Sequence, residues 1–310
     1  MEYGVFYRII EGFSAVGLRS RQAELLMVPQ LGGRIVSLVG LKSGREWLWH
    51  REKQGWLWEN NAGDDFALSP QAGIDECIPT VAPCCFKGRL LPDHGEVWYK
   101  GWELDSSALA RGVICSRVVL DVSPFVFERC ISIDSDGSFL LDYKLENWGI
   151  EDEPFIWSLH PLKSIKEGDY LVLPDEIDFI RLDGGLGVPI QRGDVWAYPE
   201  PFSGIRLDRL QVPGDGSELC VKGFAGPLKH GWASVCNDNT ADSIKISWDA
   251  DVIPYLGIWI NRGLGGAHHV GLEPCTGIPD SLAIAANEWK TVETIAPSQK
   301  LRWRIKIEIL

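Results

Sequence analysis

Apolar and polar residues alternate with a period of two along much of this chain. Near the C-terminal end Leu301, Trp303, Ile305, Ile307 and Ile309 interleave with Arg302, Arg304, Lys306 and Glu308, the pattern of a strand with one buried and one wet face. Phe125–Ile133 runs into Asp134-Ser135-Asp136-Gly137 and out again over 139–145, which predicts a hairpin around an Asp-Gly turn. Shorter runs of the same kind lie at 7–10, 24–28, 34–38, 113–122, 156–159, 170–173, 243–248 and 256–260. Only 281–287 suggests a turn of helix, and no stretch of a dozen residues carries a period of 3.6. The predicted class is all-β.

Gly and Pro are spread between these runs, and no linker or composition shift divides the chain, so one domain over 1–310 is expected. An antiparallel system of this size closes as a sandwich of two large sheets, with long loops at its ends and over its concave face. The longest stretch without a clean strand signal is 59–88. Long ordered loops are more often functional than idle, which makes it a candidate wall of a site.

Composition narrows the partners. The 310 residues are 45% hydrophobic and 24% charged, and 30 Lys+Arg against 43 Asp+Glu give a net charge of -13. That field repels nucleic-acid phosphates and anionic lipid, so neither partner is expected and a neutral small molecule is. Fourteen Trp serve a large β core or the stacking of sugar rings equally well. No run reaches the ~18 apolar residues of a membrane span. The start, Met1-Glu2-Tyr3-Gly4-Val5-Phe6, carries no basic leader, so a reducing cytoplasm and eight reduced, mostly buried thiols are expected. There is no C-x-x-C and no spaced Cys/His quartet, so no structural zinc is expected.

Three short segments could carry chemistry. His94 lies in Leu91-Pro92-Asp93-His94-Gly95-Glu96, where Pro and Gly mark a turn able to push an imidazole into a cleft; a His simply held by Asp93 or Glu96 fits the same letters. His160 ends the apolar run Phe155-Ile156-Trp157-Ser158-Leu159, and Pro161 is expected to stop the ladder there. Glu273 is a lone carboxylate in Val270-Gly271-Leu272-Glu273-Pro274-Cys275, where burial would make it a usable base and a salt bridge to Arg262 or Arg302 would make it structural. Two imidazoles and one carboxylate on an all-β scaffold form an acid/base set if the fold brings them together. His268-His269 reads as a polar loop beside such a site, and Gly263-Leu264-Gly265-Gly266 as a turn with no phosphate-binding helix after it.

Ordered segments across the whole chain carry a family resemblance: Leu31-Gly32-Gly33-Arg34-Ile35-Val36-Ser37-Leu38, Gly73-Ile74-Asp75-Glu76-Cys77-Ile78-Pro79-Thr80, Pro92-Asp93-His94-Gly95-Glu96, Phe127-Glu128-Arg129, Leu159-His160-Pro161, Leu272-Glu273-Pro274 and Ile295-Ala296-Pro297-Ser298. In this order they resemble the galactose mutarotase-like (aldose 1-epimerase) family, which implies an antiparallel β-supersandwich and sugar mutarotation without metal or cofactor. The resemblance implies Glu273 as the base, His160 as the acid, and His94 as the group that polarises the ring side of the sugar. It offers Arg89 for the family's sugar-binding arginine. By position alone, Trp259, on the strand run just before the Glu273 segment, is the candidate sugar-facing ring where most Trp pack the core, and Glu96, Asp75 and Glu76 around the His94 turn could bind hydroxyls or simply be solvated. The chain departs from galactose-active members in reading His94-Gly95-Glu96 where they have His-Gly-Gly, in having its arginine, Arg89, close to His94, and in following His160-Pro161 with Leu162-Lys163-Ser164. These differences point to a divergent branch acting on a free aldohexose or related sugar as a monomer or homodimer. The alternatives are a sugar-binding protein of the same fold without catalysis, and a hexose-6-phosphate mutarotase with Arg34, Lys87, Arg89 and Arg262 as its cationic rim. The mutarotase reading requires His94, His160 and Glu273 to converge on one pocket fit for a monosaccharide, at the low end of the usual ~300–1,000 Å³.

Overall fold

Alternation of apolar and polar side chains lets each strand bury one face, and the chain uses this to enclose one core between two sheets. The computed structural model describes residues 4–51, 54–186, 190–210 and 218–310. Among them an eleven-stranded sheet runs, edge to edge, through Gly4–Ile10, Phe13–Arg19, Ala23–Val28, Arg34–Gly40, Ile74–Cys77, Ser158–Ser164, His268–Cys275, Tyr255–Arg262, Leu219–Ala225, Phe179–Leu186 and Val195–Ala197. An eight-stranded sheet runs through Asp169–Val172, Gly231–Asn237, Ser243–Trp248, Lys300–Ile309, Phe139–Asn147, Phe125–Ile133, Ile114–Val119 and Glu103–Leu104. Leu25, Leu38, Ile258 and Leu272 of the first sheet and Phe127, Leu141, Ile246 and Ile305 of the second belong to one buried cluster, the packing of a β-sandwich.

The expected hairpin is present, with Ile133 paired to Phe139 and Gly137 taking the turn at φ 92°. In the last strand Trp303, Ile305, Ile307 and Ile309 are buried while Arg302 and Arg304 are exposed. The 281–287 signal is a short helix, Leu282–Ile284, capped by Ser281 and continued as one π turn over Ala285–Trp289. No described helix is long and apolar enough to cross a membrane.

Three expectations are corrected. Pro161 does not end its strand: Ser158–Ser164 continues through it, with Pro161 opposite Ile74 and Leu162 opposite Gly271. A proline removes one donor from the ladder, and the neighbours on both sides carry the pairing past it. The 59–88 stretch is not all loop, since it contains the central strand Ile74–Cys77 and the edge strand Cys84–Phe86. Nor are all eight thiols reduced. Cys115 and Cys130 face each other on paired strands, with Cα atoms 4.0 Å apart, and form a disulfide. The remaining six are free.

Candidate functional site

Strand register builds the site. Ser158 lies opposite Cys275 and Leu162 opposite Gly271, so His160, midway between, stands across from Glu273. Glu273 pairs in turn with Gly257, Gly271 with Trp259, and His269 with Asn261. Trp259 pairs with Lys222 on the next strand. Directly opposed residues share a face, so His160, Glu273, His269, Trp259, Asn261 and Lys222 all project from one side of the large sheet. Their alternating neighbours Leu159, Leu272, Ile258 and Val221 fill the core. The polar side is the floor of a cleft of about 1260 Å³, and five of the six histidines line it: His50, His94, His160, His268 and His269.

Glu273 lies almost wholly buried behind the cleft-lining His160 and Lys222, 1% exposed. One carboxylate oxygen, Oε2, accepts from the Lys222 ammonium. The other, Oε1, has no hydrogen-bond partner among the described residues and stands 3.9 Å from His160 Nε2. Two glycines make room for the carboxylate. A Cβ at Gly257 would come within 3.3 Å of Oε2, and one at Gly271 within 2.6 Å of Oε1.

Lys222 also lies 3.5 Å from Asp280 Oδ2 on the cleft wall, so one ammonium bridges two carboxylates. Burial works against its charge, but Asp280 and Glu273 outweigh burial and hold it above lysine's usual value. Burial raises Asp280 to about 6, with Lys222 opposing and Glu273 reinforcing the rise. His160 is pushed well below the usual histidine value by burial, aided by His94, Lys222 and Arg34 nearby, so its imidazole is neutral at pH 7. Its Nδ1 has no partner among the described residues.

His94 is held by its own turn. It sits at φ 55°, next to Gly95 at φ 75°, where a Cβ would strike the Ile78 carbonyl oxygen at 2.1 Å. Its Nδ1 is 2.9 Å from Asp93 Oδ1, and Asp93 Oδ2 accepts the Phe66 N–H at 2.8 Å. Burial tends to raise the Asp93 carboxyl, but the bonds from His94 and the Phe66 backbone overcome it and leave it below its usual value. The Phe66 ring stacks on the His94 imidazole at 3.7 Å, and His94 meets His160 edge to face at 4.9 Å. Phe66 comes from the 59–88 stretch, so that loop does help to form the cleft.

The structure brings together His94, His160, Glu273 and Trp259 and places the other four expected residues elsewhere. Alternation in Ile74–Cys77 sends Asp75 to the outer face opposite His160, where it is buried and paired with Arg34 Nε at 2.7 Å, outside the cleft lining. The same alternation sends Glu76 into the core, where it accepts from Arg129 at 2.8 Å and from Tyr143 and Trp157, each at 2.9 Å. Glu96 is fully buried on the backbone N–H groups of Asp121, Val122 and Ser123. Arg89 pairs with Glu153 away from the cleft. The four cations expected at a rim do not line the cleft, whose cations are Arg51, Lys166 and Lys222: Lys87 donates to the Asp152 carbonyl and Arg262 to the carbonyls of Arg206 and Arg209. Nor do Arg262 and Arg302 hold Glu273, which has Lys222 instead. Sequence reasoning missed that lysine, whose signal was a single charge inside the otherwise apolar Leu219–Ala225 strand, buried throughout.

No family model matches the sequence, and no curated protein matches it. Solved structures do share its fold. A galactose mutarotase-like protein from Clostridium acetobutylicum is 15% identical, covering 100% of this chain and 99% of its own, with a TM-score of 0.69. The Slr1438 protein of Synechocystis sp. PCC 6803 is 17% identical over 100% of this chain and 98% of its own, with a TM-score of 0.68. A galactose mutarotase-like protein from Lactobacillus casei is 16% identical over 96% and 100%, with a TM-score of 0.66. At such identities the likeness carries the fold: this chain has the galactose mutarotase-like β-sandwich.

Proposed function

We propose that the cleft interconverts the α and β anomers of a free aldose by acid/base ring opening. The observation that carries this is the 3.9 Å gap between His160 Nε2 and Glu273 Oε1 on one sheet face, with His94 against His160. That gap is too long for a hydrogen bond between the two, so each keeps its capacity for a ligand. A hemiacetal carries its hydroxyl and its ring oxygen on the same carbon, so two groups this close can serve both.

Glu273 takes the proton of the anomeric hydroxyl through Oε1, and the electron pair left on the hydroxyl oxygen forms the C1 carbonyl. The bond between C1 and the ring oxygen breaks, and the ring oxygen takes a proton from the imidazolium form of His160, the minor form at pH 7, which leaves a neutral imidazole. His94, its Nδ1 fixed on Asp93, polarises the ring side. Rotation about C1–C2 and the reverse transfers close the ring as the other anomer, and both side chains return to their starting protonation. Lys222 holds Oε2 in place throughout, which leaves Oε1 as the working oxygen.

NMR or polarimetry of glucose and galactose tests the proposal. The wild type should accelerate anomer exchange, and Glu273→Gln or His160→Ala should each lose about 100-fold or more. A wild type no faster than the double variant rejects it. One observation favours a second reading, sugar binding without turnover: the Lys222 ammonium offsets the charge the base would use. Calorimetric sugar binding with no acceleration selects that alternative. A phosphorylated sugar fits less well, because Asp65, Asp93, Asp183 and Asp280 stand on the cleft walls against Arg51, Lys166 and the carboxylate-paired Lys222, while Arg34 and Arg89 are spent elsewhere.

A further inference from the structure

The cleft is longer than one sugar ring needs. Its floor has three rows: His160, Glu273 and Gly257; then Gly271, Trp259 and Lys222; then His269, Asn261 and Cys220. Rows two residues apart on an antiparallel strand are separated by about 6.8 Å, so the third lies about 13–14 Å from the first. The volume of about 1260 Å³ exceeds the ~300–1,000 Å³ of ordinary small-molecule sites.

The far rows also hold a donor without an acceptor. Trp259 Nε1–H donates to His269 Nδ1 at 3.2 Å. Burial, with His268 beside it, pushes His269 down to about 4, so its ring is neutral at pH 7. A neutral imidazole that accepts at Nδ1 carries its proton on Nε2. That Nε2–H has no partner among the described residues, although His269 is 2% exposed and lines the cleft. A buried donor left unpaired costs about 1–3 kcal/mol, which a ligand oxygen would recover. Trp49 packs edge-on against the same imidazole at 5.0 Å, and the half-buried Trp259 ring lines the cleft beside it. A flat apolar ring next to an unpaired N–H suits the C–H face and hydroxyls of a pyranose.

We propose that Trp259, His269 and Trp49 form a second sugar subsite, so that the substrate is a reducing disaccharide or longer saccharide. The mutarotase proposal above supplies which end reacts: the reducing unit sits at His94 and His160, and the next unit lies over Trp259.

Titration calorimetry tests this with glucose against maltose, cellobiose and lactose, and galactose against galactobiose. At least one disaccharide should bind about tenfold tighter than its reducing-end monosaccharide. Trp259→Ala and His269→Phe, each checked for folding by its melting curve, should bring that ratio to within about twofold. Equal binding of monosaccharides and disaccharides by the wild type, ratios that survive both variants, or no binding of any of these sugars would overturn the subsite. The two proposals fail separately. Disaccharide preference without faster anomer exchange keeps the subsite and rejects the mutarotase, whereas faster exchange of glucose without disaccharide preference does the reverse.

Discussion

Gly271 keeps Glu273 in position: a Cβ on Gly271 would stand 2.6 Å from the Oε1 atom that faces His160. Gly271 lies two residues before Glu273 and so on the same face, and directly opposite Trp259, whose Cβ would be 3.2 Å away. The added methyl has no free space, so the carboxylate must swing off His160. Misplacing a reacting group by about 1 Å costs on the order of 100-fold in rate. Gly271→Ala should therefore slow anomer exchange by about that much while the protein stays folded, measured by NMR exchange rates beside a melting curve. A folded Gly271→Ala protein with wild-type rates would show that this oxygen is not the base.

Lys222 sets the acid side of the pH profile. It opposes the rise of Asp280, which burial and Glu273 bring to about 6. Without the ammonium, Asp280 keeps the burial and the Glu273 charge that raise it and loses the cation that opposes them. In Lys222→Met the Asp280 value moves further up, so activity begins to fall at a higher pH on acidification. The acid limb of kcat/KM should shift upward by about one unit or more. Profiles from pH 4 to 9 for the wild type and Lys222→Met decide it, and superimposable limbs would remove Lys222 from the chemistry.

The strands were legible because one wet face writes period two into the sequence: Ser243–Trp248 and Phe125–Ile133 have the bounds read from the letters. Strands covered on both faces write no such pattern. Leu219–Ala225 is buried at every position, and with it went Lys222. Pro161 misled for a related reason, since a ladder supported on two sides survives the loss of one donor. His94, His160 and Glu273 were found as chemistry in unusual surroundings, but what joins His160 to Glu273 is a register between strands more than a hundred residues apart. The letters offer the carboxylates at 75 and 76 as a pair of hydroxyl binders. In the strand they face opposite ways, and only backbone alternation separates the outward Asp75 from the inward Glu76.

Glu76 gives a prediction about the core. Its carboxylate joins Arg129 of the opposite sheet to Tyr143 and Trp157, with both members of the ion pair wholly buried. Glu76→Gln leaves the Arg129 charge without its counter-ion, and breaking a buried pair in this way costs about 3–5 kcal/mol. Urea denaturation should show that loss. If Glu76→Gln instead raised KM with stability intact, the residue would belong to the sugar site after all.

Lys163 should make stability rise with pH over a window well above the one in which carboxylates titrate. It projects into the core beside the site strands, opposite Val270, is 1% exposed, and its Nζ has no hydrogen-bond partner among the described residues. Burial lowers it from lysine's ordinary 10.5 to about 7, with the nearby Glu273 charge alone opposing the fall. Because the folded value is depressed, the unfolded chain holds a proton that the folded chain has released between about pH 7 and 10.5. Below that window both states are charged, and the full cost of burying the ammonium is present. Through it the cost is relieved by about 1.4 kcal/mol per pH unit. Other groups titrate too, so the measurement is a difference. Lys163→Met should exceed the wild type in stability most at pH 7 or below, and its advantage should shrink at about that slope as the pH rises to 10. Urea denaturation of both proteins at pH 6, 7, 8, 9 and 10 gives the two curves. A constant gap would mean that the ammonium is hydrated or paired in solution and stays charged in the folded protein.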